Sequence, residues 1–239
     1  MSGQGGPIMR EVHVDDPGAA EAVLDVLAHD AVMVQMPAVF VLIAPATTQG
    51  AGWLNRTKTR LAGKNYGTAL GDLETFYRMA LPGSLPPELD GVDEMRILTG
   101  AFIRISVASP DTETVMVRGG THQGVLVDGA HRALFRAVEA GLADTAEPAL
   151  IGGHRFTAPL CTSANVSGDP DGSIVTWDRA YEFGVATKVP LVVRCEPDPA
   201  AVGSYPIFWL RHDRISIERE GPGMDELRAA LPARLFGDA

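Results

Sequence analysis

Short runs of β-branched and apolar residues alternate along this chain with segments of helical spacing, and that interleaving constrains the fold more than any other feature. Strand-type runs are read at 31–36, 39–43, 68–70, 102–107, 114–118, 189–194, 207–210 and 214–217. Helical patterns fall between them. Ala22, Val23, Val26 and Leu27 share a face within 19–29, with Asp15 and Asp16 ahead as caps. Trp53, Leu54 and Leu61 do so within 50–63, where Gly63 ends the pattern. Leu126, Ala130, Leu134, Phe135 and Val138 follow within 125–140, and shorter helices are read at 73–80, 177–183 and 224–231. No internal repeat and no linker interrupts the series. The pattern predicts one α/β domain at 16–235, built on a twisted mixed β-sheet with flanking helices, behind an N-terminal tail at 1–15.

Composition limits what such a domain can do. Hydrophobic residues make up 46% of the 239, enough for a substantial core. A net charge of −10 argues against a surface that grips nucleic acid unaided. A local basic pocket is still open to it, because Arg56, Lys58, Arg60 and Lys64 stand close together. Cys161 and Cys195 provide no disulfide framework and suit a reducing compartment, although a single bridge between them stays open. The polar, Gly-rich start lacks the pattern of a secretory signal. The longest apolar run, 38–45, is far short of the roughly 20 residues that cross a bilayer. These features predict a soluble cytoplasmic protein without a membrane partner.

One stretch concentrates the polar chemistry. In Phe156-Thr-Ala-Pro-Leu-Cys-Thr-Ser-Ala-Asn-Val-Ser-Gly168 an apolar approach ends abruptly in hydroxyl and amide side chains: Thr162, Ser163, Asn165 and Ser167. A short buried strand opening into a polar loop would present hydroxyl, amide and backbone N–H donors to an anion. The same residue types also serve a capped turn. Lys58-Thr-Arg60 adds fixed positive charge, or else two solvated helix charges. Residues two apart do not share a helix face, so the pair is expected at the helix's fraying end or in the loop beyond.

The ordered set resembles the YrdC-like threonylcarbamoyl-adenylate synthase family. Lys58-Thr-Arg60 looks like that family's Lys-x-Arg, and Ser163-Ala-Asn165 like its Ser-x-Asn. Ala38-Val-Phe40, Val117-Arg118 with His122, and Arg219-Glu-Gly221 resemble further landmarks in the same order. The resemblance implies a single α/β domain with a concave basic cavity. It implies a nucleotidyltransferase that joins ATP, bicarbonate and an amino acid into a carbamoyl-amino-acid–AMP with release of pyrophosphate. Mg2+ would accompany the ATP, and a partner protein of tRNA modification would take the product. Lys58 and Arg60 would be catalytic, and with Ser163, Asn165 and Arg219 would hold the nucleotide. Arg118, His122, Thr162 and Ser204 would contact the other substrate; the alternative for Arg118 is an ordinary strand-end arginine, and for Arg219 an edge-strand charge.

The departures fall on the elements that cup threonine. The family's Pro-Thr-Glu is Gln35-Met36-Pro37 here, and its pocket histidine is Ala69. Ser204-Tyr-Pro206 matches poorly, and Thr99-Gly-Ala-Phe-Ile103 replaces a Pro-Gly-Pro-x-Thr turn. Met36 and Ala69 would then leave a drier pocket that favours a more apolar amine over threonine. Two functions follow: a divergent synthase serving tRNA modification or a diverted biosynthetic pathway, or a non-catalytic nucleotide- or RNA-binding module. The His and Cys residues show no zinc-ligand spacing, the Gly-Gly segments are no P-loop, and Ser163 lacks a hydrolase elbow.

Overall fold

A computed structural model describes residues 9–59, 65–199 and 202–237. Among these residues ten strands are formed: β1 (Arg10–His13), β2 (Val32–Gln35), β3 (Phe40–Ala44), β4 (Gly67–Leu70), β5 (Ala101–Ser106), β6 (Thr121–Leu126), β7 (Leu160–Ser163), β8 (Leu191–Arg194), β9 (Ile207–Arg211) and β10 (Arg214–Arg219). The same described residues form seven α-helices: α1 (Ala19–Leu27), α2 (Thr48–Lys58), α3 (Leu73–Tyr77), α4 (Val92–Met95), α5 (Gly129–Gly141), α6 (Trp177–Thr187) and α7 (Met224–Ala230). The strands join in one mixed sheet of order β1-β8-β2-β3-β7-β4-β6-β5-β9-β10. The single α/β domain around a mixed sheet expected from the interleaved pattern is therefore observed.

Side-chain alternation splits the sheet into two buried layers. Phe40, Leu42 and Ala44 of β3 enter one cluster while Val41 and Ile43 enter the other. Met33 and Val192 oppose Val32, Val34, Leu191 and Val193 in the same way. Strands covered on both faces read as unbroken apolar runs, which is why 31–36, 39–43 and 189–194 stand out in the sequence. On the second layer, α1 and α5 pack on each other and reach β1, β2, β8 and β4. Farther along that face, Gln123, Arg104 and Trp209 lie side by side on β6, β5 and β9, half-buried rather than sealed. A cleft forms there, lined by Gln123 and Arg104.

Three local differences from the sequence expectation have physical causes. Arg10–His13 lies inside the stretch expected to be a tail, yet it pairs in parallel with β8. Its backbone ladder holds it at the sheet edge with little apolar side chain to announce it. Residues 114–118 form a turn and not a strand: the Thr114 hydroxyl accepts the N–H groups of Met116 and Val117 at 3.0 and 2.9 Å. The Asn65 amide donates to the carbonyls of Thr114 and Val117. Those contacts satisfy the backbone groups that a ladder would have used. The partner of β5 is instead β6, whose polar start (Thr121, His122, Gln123, Gly124) hid its strand character.

Candidate active site

The site begins where α2 stops. The Thr47 hydroxyl caps the helix by accepting the Gly50 N–H at 3.0 Å, and at the other end Thr59 takes a left-handed conformation with φ 47°. Lys58 is thus the last helical residue, at the helix end, as its spacing from Arg60 suggested. Arg60 itself, with Gly63 and Lys64, lies outside the described residues.

Antiparallel pairing of β7 with β3 sets Ser163 opposite Val41, and the chain then leaves the sheet. The loop is tied back on both sides. Ala164 N–H donates to Phe40 O at 2.8 Å, and Ser167 N–H donates to Lys58 O at 3.1 Å. The Lys58 ammonium, 2% exposed, donates to the Ser163 carbonyl, to Asn165 Oδ1 at 3.0 Å and more weakly to Ser163 Oγ at 3.5 Å. The Ser163 hydroxyl donates to the same Asn165 oxygen at 2.6 Å. Lys58, Ser163 and Asn165 are therefore one network, joined across the fold from an α-helix end and a strand end.

This network heads a cavity of about 230 Å3 whose walls include Thr162, Ser167, Ser204, Tyr205 and Arg219. Gly67 and Phe102 form part of its floor. A Cβ at Gly67 would lie 2.9 Å from the Phe102 ring and 3.1 Å from the Gln123 carbonyl oxygen, so only glycine fits without displacement. Ser204 is held at the wall by a 2.7 Å hydrogen bond with Ser173. Arg219 closes the far side, where Nε and Nη2 donate to the Tyr205 carbonyl at 2.9 and 2.6 Å. Partial burial of its guanidinium lowers its pKa below the ordinary arginine value, while the residue as a whole stays exposed at the strand end.

Arg219, Asn65 and Gln123 also line a second cavity of about 400 Å3, so the two are halves of one cleft. Arg118 stands at its exposed rim, on the turn that Asn65 pins. Arg104 lies deeper. Its Nε pairs with Glu218 at 3.1 Å and its Nη2 donates to Gln123 Oε1 at 2.8 Å. Burial lowers the Arg104 pKa, the Glu218 carboxylate opposes that shift, and the nearby Arg118 charge adds to it. A register shift between Ile217 and Arg219 lets consecutive residues serve one cleft, Glu218 on Arg104 and Arg219 on the junction. Among the described residues no Asp or Glu lines either cavity, although the protein carries a net charge of −10. The charged groups of the lining are cations.

The structure does not bring every expected residue to the cleft. His122 alternates with Gln123 on β6 and points to the opposite layer, beside Phe76 and Phe156. Its Nδ1–H donates to Met116 O at 2.8 Å, leaving Nε2 to accept the Thr68 hydroxyl at 3.0 Å. Burial holds its pKa down to about 4, so it is a neutral structural group rather than a substrate contact. Met36 and Ala69, 1% and 0% exposed, are sealed in the α1–α5 layer and line neither cavity. The dry acceptor pocket expected from them is absent from the cleft, whose lining is largely polar. Cys161 does reach the first cavity, but burial pushes its thiol up to about 12, which leaves it protonated and inert. Gln123, Arg104, Asn65 and Gly67 are cleft residues that sequence reasoning missed. The available signal was a polar residue at an alternating position of a strand, as in Phe102-Ile-Arg104.

Among the described residues no cluster of His, Cys, Asp and Glu could hold a metal ion, and no helix is long and apolar enough to cross a membrane. No family model and no curated protein matches the sequence. Solved structures do match the fold. P. abyssi Sua5 complexed with L-threonine superposes with a TM-score of 0.69 at 15% identity, covering 96% of this chain and 61% of that one. E. coli YciO gives 0.61 at 14% identity, covering 89% of this chain and 95% of that one. Full-length HypF in its phosphate- and nucleotide-bound form gives 0.60 at 17%, covering 86% of this chain and 29% of that one. The chain thus has the fold shared by Sua5, YciO and part of HypF, and spans about three fifths of the Sua5 chain length.

Proposed function

We propose that this protein is a nucleotidyltransferase of the carbamoyl-adenylate type, which converts ATP, bicarbonate and an amine or amino acid into a carbamoyl-amino-acid–AMP and pyrophosphate. The observation that carries the proposal is the buried Lys58–Ser163–Asn165 network at the head of a cleft that the described residues line with cations and no acids. The fold supports it, since Sua5 and HypF structures of the same fold were solved with L-threonine and with phosphate and nucleotide.

Two anionic reactants must meet in this reaction. The amine nitrogen first adds to the bicarbonate carbon and water leaves, giving a carbamate. A carbamate oxygen then attacks the α-phosphorus, and the bond to the bridging oxygen of pyrophosphate breaks. Negative charge accumulates on phosphate oxygens throughout, so fixed cations and directed donors are what the protein must supply. Lys58 is already desolvated and oriented by three oxygen acceptors, and its charge would offset that on the phosphates. Arg219 provides the opposing guanidinium across the first cavity. Arg60 belongs to the same proposal by its place in Lys-x-Arg. Thr162 and Ser204 offer hydroxyls from the wall. Among the described residues no carboxylate lines the cleft to hold a divalent ion, so Mg2+ would enter on the triphosphate as part of the substrate. A tRNA-modifying protein, or a transferase of a specialised pathway, would consume the activated product.

The test is a coupled pyrophosphate assay with ATP, bicarbonate and a panel of amines, repeated in bicarbonate-depleted buffer. Release that needs all three components is expected. Release without bicarbonate would sink the carbamoylation mechanism. ATP binding with no release from any amine would leave only the nucleotide- or RNA-binding module.

A further inference from the structure

The two cavities of the cleft meet at a wall that Asn65, Gln123 and Arg219 share. Their donors are not equally available. Both N–H bonds of the Asn65 amide are directed to backbone carbonyls, those of Thr114 and Val117. Arg219 commits Nε and Nη2 to the Tyr205 carbonyl and already has a part with the nucleotide. Gln123 differs. Its Oε1 accepts from Arg104 Nη2 at 2.8 Å, while its NH2 meets no acceptor among the described residues.

That one contact decides which way the amide faces. A guanidinium only donates, so the carbonyl end of Gln123 is turned to Arg104 and the NH2 end away from it. The two residues stand opposite each other in the β5–β6 register, and Arg104 is itself held by Glu218 at 3.1 Å. The stem of Gln123 runs along the floor of the first cavity, where a Cβ on Gly67 would lie 3.2 Å from Gln123 Cγ. The chain Glu218–Arg104–Gln123 thus delivers a neutral donor of fixed sense to the junction. An unheld glutamine could turn its carbonyl to the cleft and repel an anion there.

Resting on the carbamoyl-adenylate reading, we propose that Gln123 binds the carbamate made from bicarbonate and the amine, its NH2 donating to the carbamate oxygen that does not attack phosphorus. Of the reacting species, the carbamate is the one that must touch both halves of the cleft. Its nitrogen carries the amine, and its other oxygen has to reach the α-phosphorus. A cation at this point would draw charge from the nucleophile, whereas a neutral amide orients it and leaves that charge in place. Gln123 transfers no proton: the attacking oxygen forms the new P–O bond, and the bridging oxygen leaves with pyrophosphate. Arg104 and Glu218 are positioning residues that act through Gln123.

The experiment measures pyrophosphate release with bicarbonate and ATP varied separately, on wild type, Gln123→Leu, Gln123→Glu and Glu218→Gln. Gln123→Leu removes the donor without adding charge, and should raise the bicarbonate KM by roughly tenfold or more, as expected for losing a hydrogen bond to a charged group. Gln123→Glu keeps an acceptor for Arg104 but turns an anion on the carbamate, so it should raise that KM further. Glu218→Gln should act in the same direction by a smaller factor. The ATP KM and the Tm should stay near wild type in all three. A merely structural role would lower the Tm or raise both KM values together. Either result, or an unchanged bicarbonate KM, overturns the assignment and leaves the reaction standing. If wild type releases no pyrophosphate with any amine, the reaction reading fails by itself. NMR of isotopically labelled bicarbonate, mixed with the protein in the presence and absence of α,β-methylene-ATP, then decides the site. Line broadening that Gln123→Glu abolishes supports an anion of this class at Gln123, and broadening that survives the substitution, or none, overturns it.

Discussion

Replacing Lys58 by methionine separates binding from turnover, because the two side chains are similar in length and only the ammonium is lost. Lys58 is 2% exposed and gives hydrogen bonds to the Ser163 carbonyl, Asn165 Oδ1 and Ser163 Oγ. In Lys58→Met, Asn165 Oδ1 keeps the Ser163 hydroxyl as a donor at 2.6 Å. The Ser163 carbonyl loses its Lys58 donor, and a buried acceptor left unsatisfied costs about 1–3 kcal/mol. Part of that is returned, since a buried charge no longer has to be desolvated. A domain of this size should therefore lose only several degrees of Tm, at roughly 2–4 °C per kcal/mol. Turnover should fall much further, by roughly 100- to 1,000-fold, as is typical when one transition-state donor is removed. Nucleotide affinity should change by less than about tenfold, because a contact that strengthens chiefly in the transition state adds little to ground-state binding. Thermal melting, calorimetric titration of ATP and single-turnover pyrophosphate release on both proteins give the three quantities. Equal losses in affinity and kcat/KM would show that Lys58 merely holds the ground state. Unchanged turnover would remove it from the chemistry altogether.

Gly67→Ala should narrow the first cavity, since its Cβ would press on the Phe102 ring at 2.9 Å and the Gln123 carbonyl at 3.1 Å. Overpacking of this kind costs about 1–3 kcal/mol, so a lower Tm and a weaker ATP titration are expected, and an unchanged titration would mean the cavity does not hold nucleotide. ATP affinity should also fall steadily as salt rises from low to physiological strength, because the facing charges are then screened over about 8–10 Å; a salt-independent constant would contradict an anion-binding cleft. In pH dependence two buried groups oppose each other. His122, held down to about 4 from 6.5, gives stability present above its unfolded value and lost as pH falls through 4. Glu139, raised to about 7 from 4.5, gives stability present below 4.5 and lost as pH rises through 7. Glu139→Gln removes the second effect, so urea denaturation should show the variant losing more stability than wild type between pH 7.5 and 5, and parallel losses would refute the assignment.

Elements buried on both faces were the legible part of the fold. Residues 31–36, 39–43 and 189–194 declare themselves because each side chain meets a core layer. Edges and hybrids were not legible. Arg10–His13 is held mainly by backbone pairing, a contribution every sequence can make, with Val12 packed on the core and Glu11 paired to Arg194. The β6 residues Thr121, His122, Gln123 and Gly124 mix a cleft wall with a buried histidine, so neither the strand period nor the helix period fits them. Residues 114–118 looked like a strand from composition, while the turn depends on Asn65, far away in sequence, reaching the carbonyls of Thr114 and Val117.

The site shows the same division between what is local and what the fold assembles. Ser163 and Asn165 were legible because a loop of hydroxyls and amides directly after an apolar run is a local signal. Their partnership with Lys58 is not local: it requires β7 to lie beside β3 and α2 to end at the same level. His122 and Gln123 mark the limit most sharply. They are adjacent in sequence, and strand alternation sends one to a dry aromatic layer and the other to the cleft. A motif can place a strand in the right position and still leave its register undetermined, and a one-residue difference exchanges every wall residue for a core residue. The bulge before Arg219 overrides that alternation, which is how Glu218 and Arg219 both serve the cleft. Where the bulge lies, therefore, decides whether this cleft holds a lone arginine or an oriented Glu218–Arg104–Gln123 chain beside one.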